Sequence, residues 1–329
     1  MPPQPTSVSV TSPISPAIDR VKRLLFQPFD AGKWFVIGFC AWLAHLGEGG
    51  FGGFNGGYNF GSPAGHGSGR EQIEQIKDYV LNNLSWIVPL AVGLVVIGLA
   101  VGVVLTWLGS RGRFMLLHCV ALDKAEVVLP WRKFAREGNS LFLFRLALGL
   151  VALILVAPFL VLAGYTVFSM IDRGGPSAGG VLGLVAIVLA LIAVGIMYAV
   201  IAKLTKDFVV PIMFLQGCRC REGWNELLGL ISANVGRFLL YLLFQIVLGM
   251  AIGAIILIVV IVTCCVAGCL LAIPYLGTVV LLPILIFGRS YSLYYLAQYG
   301  QKYDVFAPST PPAPGTTAPP GAGLPVAPA

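Results

Sequence analysis

Three groups of residues in this 329-residue chain have types and spacings suited to chemistry. Gly47, Gly49 and Gly52 form a G-x-G-x-x-G inside the glycine-rich stretch 47–69. Such a loop cradles pyrophosphate only where it joins a strand to a helix, so that free amides converge at the helix start. His45 and Glu48 are three apart, hence on one helical face, and could share a proton or supply two metal ligands. Catalytic zinc takes three protein ligands, and the third would have to be His66, so a hydrogen-bonded pair is the favoured reading. Cys218 and Cys220 lie in a CRCRE motif. Arg219 and Arg221 favour thiolate there, and juxtamembrane thiols are palmitoylation candidates. Two thiols close no tetrahedral zinc site, and inert thiols are favoured. No Ser/His/Asp set is credible, because His45 and His66 are the only histidines on the external side. The sequence therefore assigns no catalytic, cofactor-binding or metal residue, and the expectation is a protein that is not an enzyme.

The elements that would position such residues are membrane helices. Hydrophobic residues make up 57% of the chain and charged ones 11%, about half the charge of a soluble domain. So little charge cannot cover a water-facing surface, so the bilayer is the solvent for much of the chain. The net charge of +7 invites a nucleic-acid reading, but the basic residues are dispersed between apolar runs. No nucleic-acid partner is expected; membrane lipids are, together with a possible protein partner. The seven cysteines give no extracellular disulfide framework. Cys40, Cys264, Cys265 and Cys269 sit in apolar runs, where cysteine acts as a small hydrophobe.

A crossing needs roughly 20 mostly apolar residues. Residues 86–109, 145–171 and 181–202 meet this directly, and the long run after Phe238 is punctuated by Gly268, Pro274 and Gly277 into 238–263 and 273–295. Residues 33–47 are a shorter first candidate, read as retained rather than as a cleaved signal peptide. The fold class is thus all-α, a polytopic transmembrane bundle of about six spans. The membrane domain covers 15–305, between disordered tails at 1–14 and 306–329. Of the 21 Lys and Arg, 17 fall before the first span (Arg20, Lys22, Arg23, Lys33), in the loops 110–140 and 203–237, and at the C-terminal end (Arg289, Lys302). Three (Arg70, Lys77, Arg173) fall on the opposite side, and Arg145 is left to snorkel at a span end. The positive-inside rule then puts both termini in the cytoplasm of an inner-membrane protein. The glycine loop lies outside, follows an apolar helix and meets no nucleotide; its Phe51, Phe54, Tyr58 and Phe60 suit the headgroup level.

Residues from Ser15 onward read as a short helix with Ile18, Val21, Leu24 and Leu25 on one face and basic residues opposite, fit to lie on the anionic inner leaflet. REQIEQIKDYVLNNLSW (70–86) is a second amphipathic stretch, leading into residues 86–109. The loops 111–144 and 205–241 run alike, from Phe114 to Trp131 to Asn139 and from Phe208 to Trp224 to Asn234. Three parallel hairpin repeats joined by cytoplasmic interfacial helices would produce this pattern. Gly98-x-x-x-Gly102 and Gly249-x-x-x-Gly253 would let their helices approach neighbours closely, and Pro89, Pro158 and Pro283 are candidate kinks. Gln245 is the one polar group at the centre of its span.

RLLFQPFDAGKWFVIGFCAWLA, DFVVPIMFLQG and RSYSLYYLAQYG resemble segments of uncharacterised bacterial polytopic membrane proteins of a domain of unknown function. These are loosely similar to the membrane domain of glycerophosphodiester phosphodiesterase-like proteins. The resemblance covers most of 15–305 and implies a membrane domain without the phosphodiesterase catalytic part. The function expected is a non-enzymatic module that binds a partner or organises lipid, with a small permease for an uncharged or amphiphilic solute as the alternative.

Overall fold

In the computed structural model the chain is described at residues 8–46, 82–173, 175, 177–263, 268, 270–271 and 273–307. The glycine motif, Glu48, His66, most of the 70–86 stretch, and Cys264, Cys265 and Cys269 lie outside the described residues.

Length decides the architecture. Helix α3 (Leu84–Leu122) and helix α5 (Ala135–Asp172) have 39 and 38 residues, or about 57–58 Å of rise. Helix α6 (Ala178–Leu204) continues through a π-turn, Thr205–Val209, into α7 (Val210–Gln216). Helix α9 covers Val235–Val262. These four rods are long and apolar enough to cross a membrane, and three of them are nearly twice the roughly 30 Å of a hydrocarbon core. The excess protrudes and is packed.

The division along each rod is sharp. No residue from Trp86 to Leu108 is buried, whereas every residue from Gly109 to Ala121 is buried except Arg111. The bare part rises about 34 Å, close to one bilayer. In α5 nothing beyond Leu141 is buried, in α6 only Ile187 precedes Leu204, and in α9 nothing follows Tyr241. The bare parts contain the expected spans 86–109, 145–171, 181–202 and 238–263 almost entirely, and each covered part lies at the end the charge count assigns to the cytoplasm.

Shorter helices complete the covered region: α1 (Ile14–Phe26), α2 (Ala31–His45), α4 (Val128–Lys133), α8 (Cys220–Ala233), α10 (Pro274–Val280) and α11 (Leu282–Ala297), with a 3-10 turn at Gln301–Tyr303. Asp30 caps α2, accepting from the amides of Gly32 (2.8 Å) and Lys33 (3.3 Å), which answers two of the donors a helix start leaves over. Left-handed residues end two others, Asp123 after α3 and Gly217 after α7. Aromatic rings dominate the core: Phe208, Phe238, Tyr241, Tyr291 and Tyr295 are buried and in mutual ring contact.

Several expectations change here. Residues 33–47 form α2, whose 15 residues rise only about 22 Å. It runs antiparallel to the covered end of α3: Lys33 pairs with Asp123 at 2.7 Å, the Cys40 and Cys119 sulfurs are 3.9 Å apart, and Leu46 meets Gly109. It lines the covered end of α3, not its bare stretch. Residues 273–295 are divided at Leu281 into helices of 7 and 16 residues, because Pro283 opens a new helix instead of kinking one. The apolar face of α1 does not rest on lipid. Ala17, Val21, Leu24 and Leu25 are buried in the protein, while Ile18 is exposed, because α11 offers them an apolar partner.

The segment before α1 is held as well: the Tyr291 hydroxyl donates to the Val10 carbonyl at 2.6 Å, and Gln298 bonds both the amide and the carbonyl of Ser9. Phe306 stacks on Tyr294. Finally, Gly98, Gly102, Gly249 and Gly253 approach nothing. Gly109 and Gly112 are among the intimate glycines instead: an added Cβ there would lie 1.9 Å and 2.6 Å from the backbone of α2 and the residue that follows it.

Candidate functional site

Where the bare and covered parts of the rods meet, α3, α5 and α6 enclose a cavity of about 450 Å³. Its polar wall is cationic: Arg113, Arg145, Lys203 and Lys206. Its apolar wall is Phe144, Leu148, Tyr198, Ala199 and Ala202, and no carboxylate lines it among the described residues. Arg113 is only 7% exposed. Arg145 reaches back across to α3, donating to the Thr106 carbonyl (3.4 Å) and the Ser110 hydroxyl (3.3 Å). A guanidinium within a long apolar helix is thereby tied down.

The lysines are positioned by the π-turn. Inserting one residue per turn shifts the helical register, and such bulges recur at functional sites. Here the turn buries Thr205 and Asp207 and leaves Lys206 partly exposed at the cavity wall. Lys203 pairs with Asp207 at 2.9 Å, Tyr241 donates its hydroxyl proton to the same carboxylate at 2.9 Å, and Gln245 donates to the Tyr241 oxygen at 3.0 Å. Lys203 closes the ring on the Gln245 carbonyl at 3.4 Å. A carboxylate only 4% exposed needs such partners, because an uncompensated buried charge costs several kcal/mol. The isolated Gln245 of the sequence is thus one corner of a polar ring. Arg289 of α11 donates to the Lys206 carbonyl, so the turn is braced from behind by a further cation.

The histidine placed by sequence at the outer end of a span stands at this cavity's margin. His45 Nδ1 is 2.7 Å from the Ala41 carbonyl, and its Nε2 is 3.4 Å from Lys206 Nζ. A residue expected outside thus touches one that the charge count assigns to the cytoplasm. Among the described residues, no three His, Cys, Asp or Glu side chains are grouped to hold a metal.

Burial sets the character of the two thiols of the CRCRE motif. Cys220 is buried at the start of α8, its amide donating to Ser140. Burial pushes its thiol up to about 12, with Cys218 adding to the shift. Cys218 is raised as well, by burial and then by Glu222. Arg219 and Arg221 do not produce a thiolate because desolvation and the Glu222 charge outweigh them. The paired tryptophans are structural: Trp131 stands edge-on to Trp107, with Arg111 over both rings, and Trp224 packs on Phe144.

The chain belongs to a family of unknown function, DUF7544, whose match covers residues 8–282. No curated protein and no solved structure matches it. The matched region takes in the four rods, the π-turn and the cationic cavity.

Proposed function

We propose that this protein is a non-enzymatic, multi-pass inner-membrane protein that organises lipid around four bare rods, with its covered region and both termini in the cytoplasm. The observation that carries the reading is the bareness of the rods. Large apolar side chains such as Leu94, Ile97, Ile154, Leu182, Leu243 and Val262 stand 58–75% exposed over the full apolar length of four helices. Each would forfeit about 1.5–3 kcal/mol in water, so lipid is the solvent that makes this arrangement stable. A partner that replaces lipid on one face belongs to the same reading. The resemblance to bacterial polytopic proteins without a catalytic part supports the non-enzymatic assignment, and the loop charges support the orientation.

A second reading, a permease for an amphiphilic solute, is favoured by one observation, the cavity at the junction. Among the described residues the rods beyond it carry no charged side chain until their far ends, whereas a hydrophilic path would need polar lining, and this favours the lipid reading. The test is reconstitution into vesicles of mixed phospholipids. Many lipids retained per protein after mild detergent extraction, and slowed lipid diffusion around the protein, are expected. Vectorial uptake of a solute without lipid retention would overturn the assignment.

A further inference from the structure

Four cations converge where the hydrophobic thickness ends, and nothing in a lipid-organising scaffold as such requires them to share one cavity. We propose that the cavity is a phosphate site for the headgroup of one anionic phospholipid of the cytoplasmic leaflet, an inference that rests on the lipid-facing reading above. Three features point to this ligand.

First, charge: Arg113, Arg145, Lys203 and Lys206 line one wall, no carboxylate lines it among the described residues, and Asp207 beside Lys203 is engaged by Lys203 and Tyr241. Basic pockets between membrane helices at the cytoplasmic side suit phosphate headgroups. The two guanidiniums supply planar, forked donors that match phosphate oxygens, and the two lysines supply compact charge. Second, the wall is amphipathic in the right direction. Phe144, Leu148 and Tyr198 continue from the cations onto the bare faces of α5 and α6, so an acyl chain leaves the pocket without crossing a polar surface. Gly149 and Gly195 have open space where a side chain would stand, which leaves room for that chain. Third, the site is built. Arg145 is anchored on α3, Lys203 in the polar ring, and Lys206 on the π-turn that Arg289 braces. Organised donors lose little freedom on binding.

The test uses the full-length protein in a neutral detergent and counts the one-to-one adduct by native mass spectrometry. Its probes are dioctanoyl phosphatidylglycerol, dioctanoyl phosphatidylcholine and inorganic phosphate. Phosphatidylglycerol is expected to bind at least tenfold more tightly than phosphatidylcholine, and inorganic phosphate to leave no adduct at the same concentration. Each cation removed should weaken the anionic lipid on the order of fivefold, so Arg145→Gln with Lys206→Gln should weaken it roughly 25-fold. Lys203 is left in place so that Asp207 keeps its partner. The charge-retaining pair Arg145→Lys with Lys206→Arg should stay within a few-fold of the natural protein. Removing two basic residues outside the cavity, Arg132→Gln with Lys133→Gln, should change binding less than twofold.

The proposal is overturned if the two lipids bind equally, or if the outer pair of substitutions weakens binding as much as the cavity pair. An inorganic phosphate adduct as stable as the lipid's would reassign the cavity to a free anion and overturn the lipid assignment. Abundant lipid bound without headgroup preference would sink this inference alone, whereas protein that carries no lipid would sink the lipid-organising reading with it.

Discussion

Within α3, the same substitution at two glycines ten residues apart should have opposite effects. At Gly112 an added Cβ would lie 2.6 Å from both the Leu43 carbonyl carbon and the Ala44 amide nitrogen, and 2.9 Å from the Leu43 oxygen. These are backbone atoms of α2, so no side-chain rotation relieves the overlap, and the helix itself has to move by several tenths of an ångström. Forcing such a shift into a packed interface costs about 1–3 kcal/mol. It also loosens the contacts on the same seam, namely Lys33 with Asp123 and Cys40 with Cys119. At Gly102 the added Cβ meets nothing within 4 Å, and only the helix preference for alanine remains, worth roughly 0.5–1 kcal/mol of stabilisation. Gly112→Ala and Gly102→Ala should therefore differ by about 1.5–4 kcal/mol. The assay is thermal unfolding of the full chain in one neutral detergent, followed by loss of helical circular dichroism. Equal midpoints, or a higher midpoint for Gly112→Ala, would refute the placement of α2 on α3.

The thiols give a second prediction. Because the thiolate is the nucleophile and the Cys220 thiol is pushed up to about 12, deprotonation alone should make it roughly a thousandfold slower toward maleimide at neutral pH than an ordinary cysteine. Its rate should keep rising with pH well past the point where a free thiol levels off. Cys218, half-buried and also raised, should react faster than Cys220 yet slower than a free thiol, and the reverse order would contradict the burial of α8. Asp207→Asn removes the counter-charge of Lys203 and alters the acceptor of Tyr241. It should cost about 1–3 kcal/mol in the same thermal assay, against about 1 kcal/mol for Tyr241→Phe.

Glu226 tests the C-terminal anchor. Burial pulls its carboxyl up, but hydrogen bonds from Lys302 and Tyr303 outweigh that and leave it below the ordinary glutamate range. A carboxyl lowered by folding stabilises above its unfolded pKa and loses that contribution as pH falls through its folded pKa. Acidification below the glutamate range should therefore free the Gln301–Tyr303 turn to proteolysis by pepsin, and Glu226→Gln should free it already near neutrality to chymotrypsin. Cleavage that ignores both changes would sink the assignment.

The four rods were legible because an uninterrupted apolar run of bilayer length is stable in hardly any setting but lipid. The packing of residues 33–47 was not legible for a related reason. KWFVIGFCAWLAHLG is as apolar as a membrane helix, yet Gly109 and Gly112 give it a protein surface to cover. Hydropathy measures escape from water and does not distinguish lipid from a packed neighbour. The G-x-x-x-G spacings failed in the converse way: small residues make a close approach possible, and Gly98, Gly102, Gly249 and Gly253 have no neighbour to approach. The cavity was hidden because its residues were dispersed among separate readings. Arg145 looked like a snorkelling leftover, and Lys203 and Lys206 looked like loop charges. A hint lay in the i, i+4 spacing of Lys203 and Asp207 beside the isolated Gln245, but the π-turn that shifts the register has no sequence signal of its own.

The central claim is that the bare faces of the four rods meet lipid. It is tested most directly by spin labels placed singly at Ile97, Ile154, Leu189 and Ile258, after replacement of the reactive native thiols, in protein reconstituted into bilayers. Relaxation by oxygen, which concentrates in hydrocarbon, should exceed relaxation by a water-soluble nickel chelate at all four sites. Greater access for the nickel chelate at any of them would place that rod in water or on a polar path and would contradict the account.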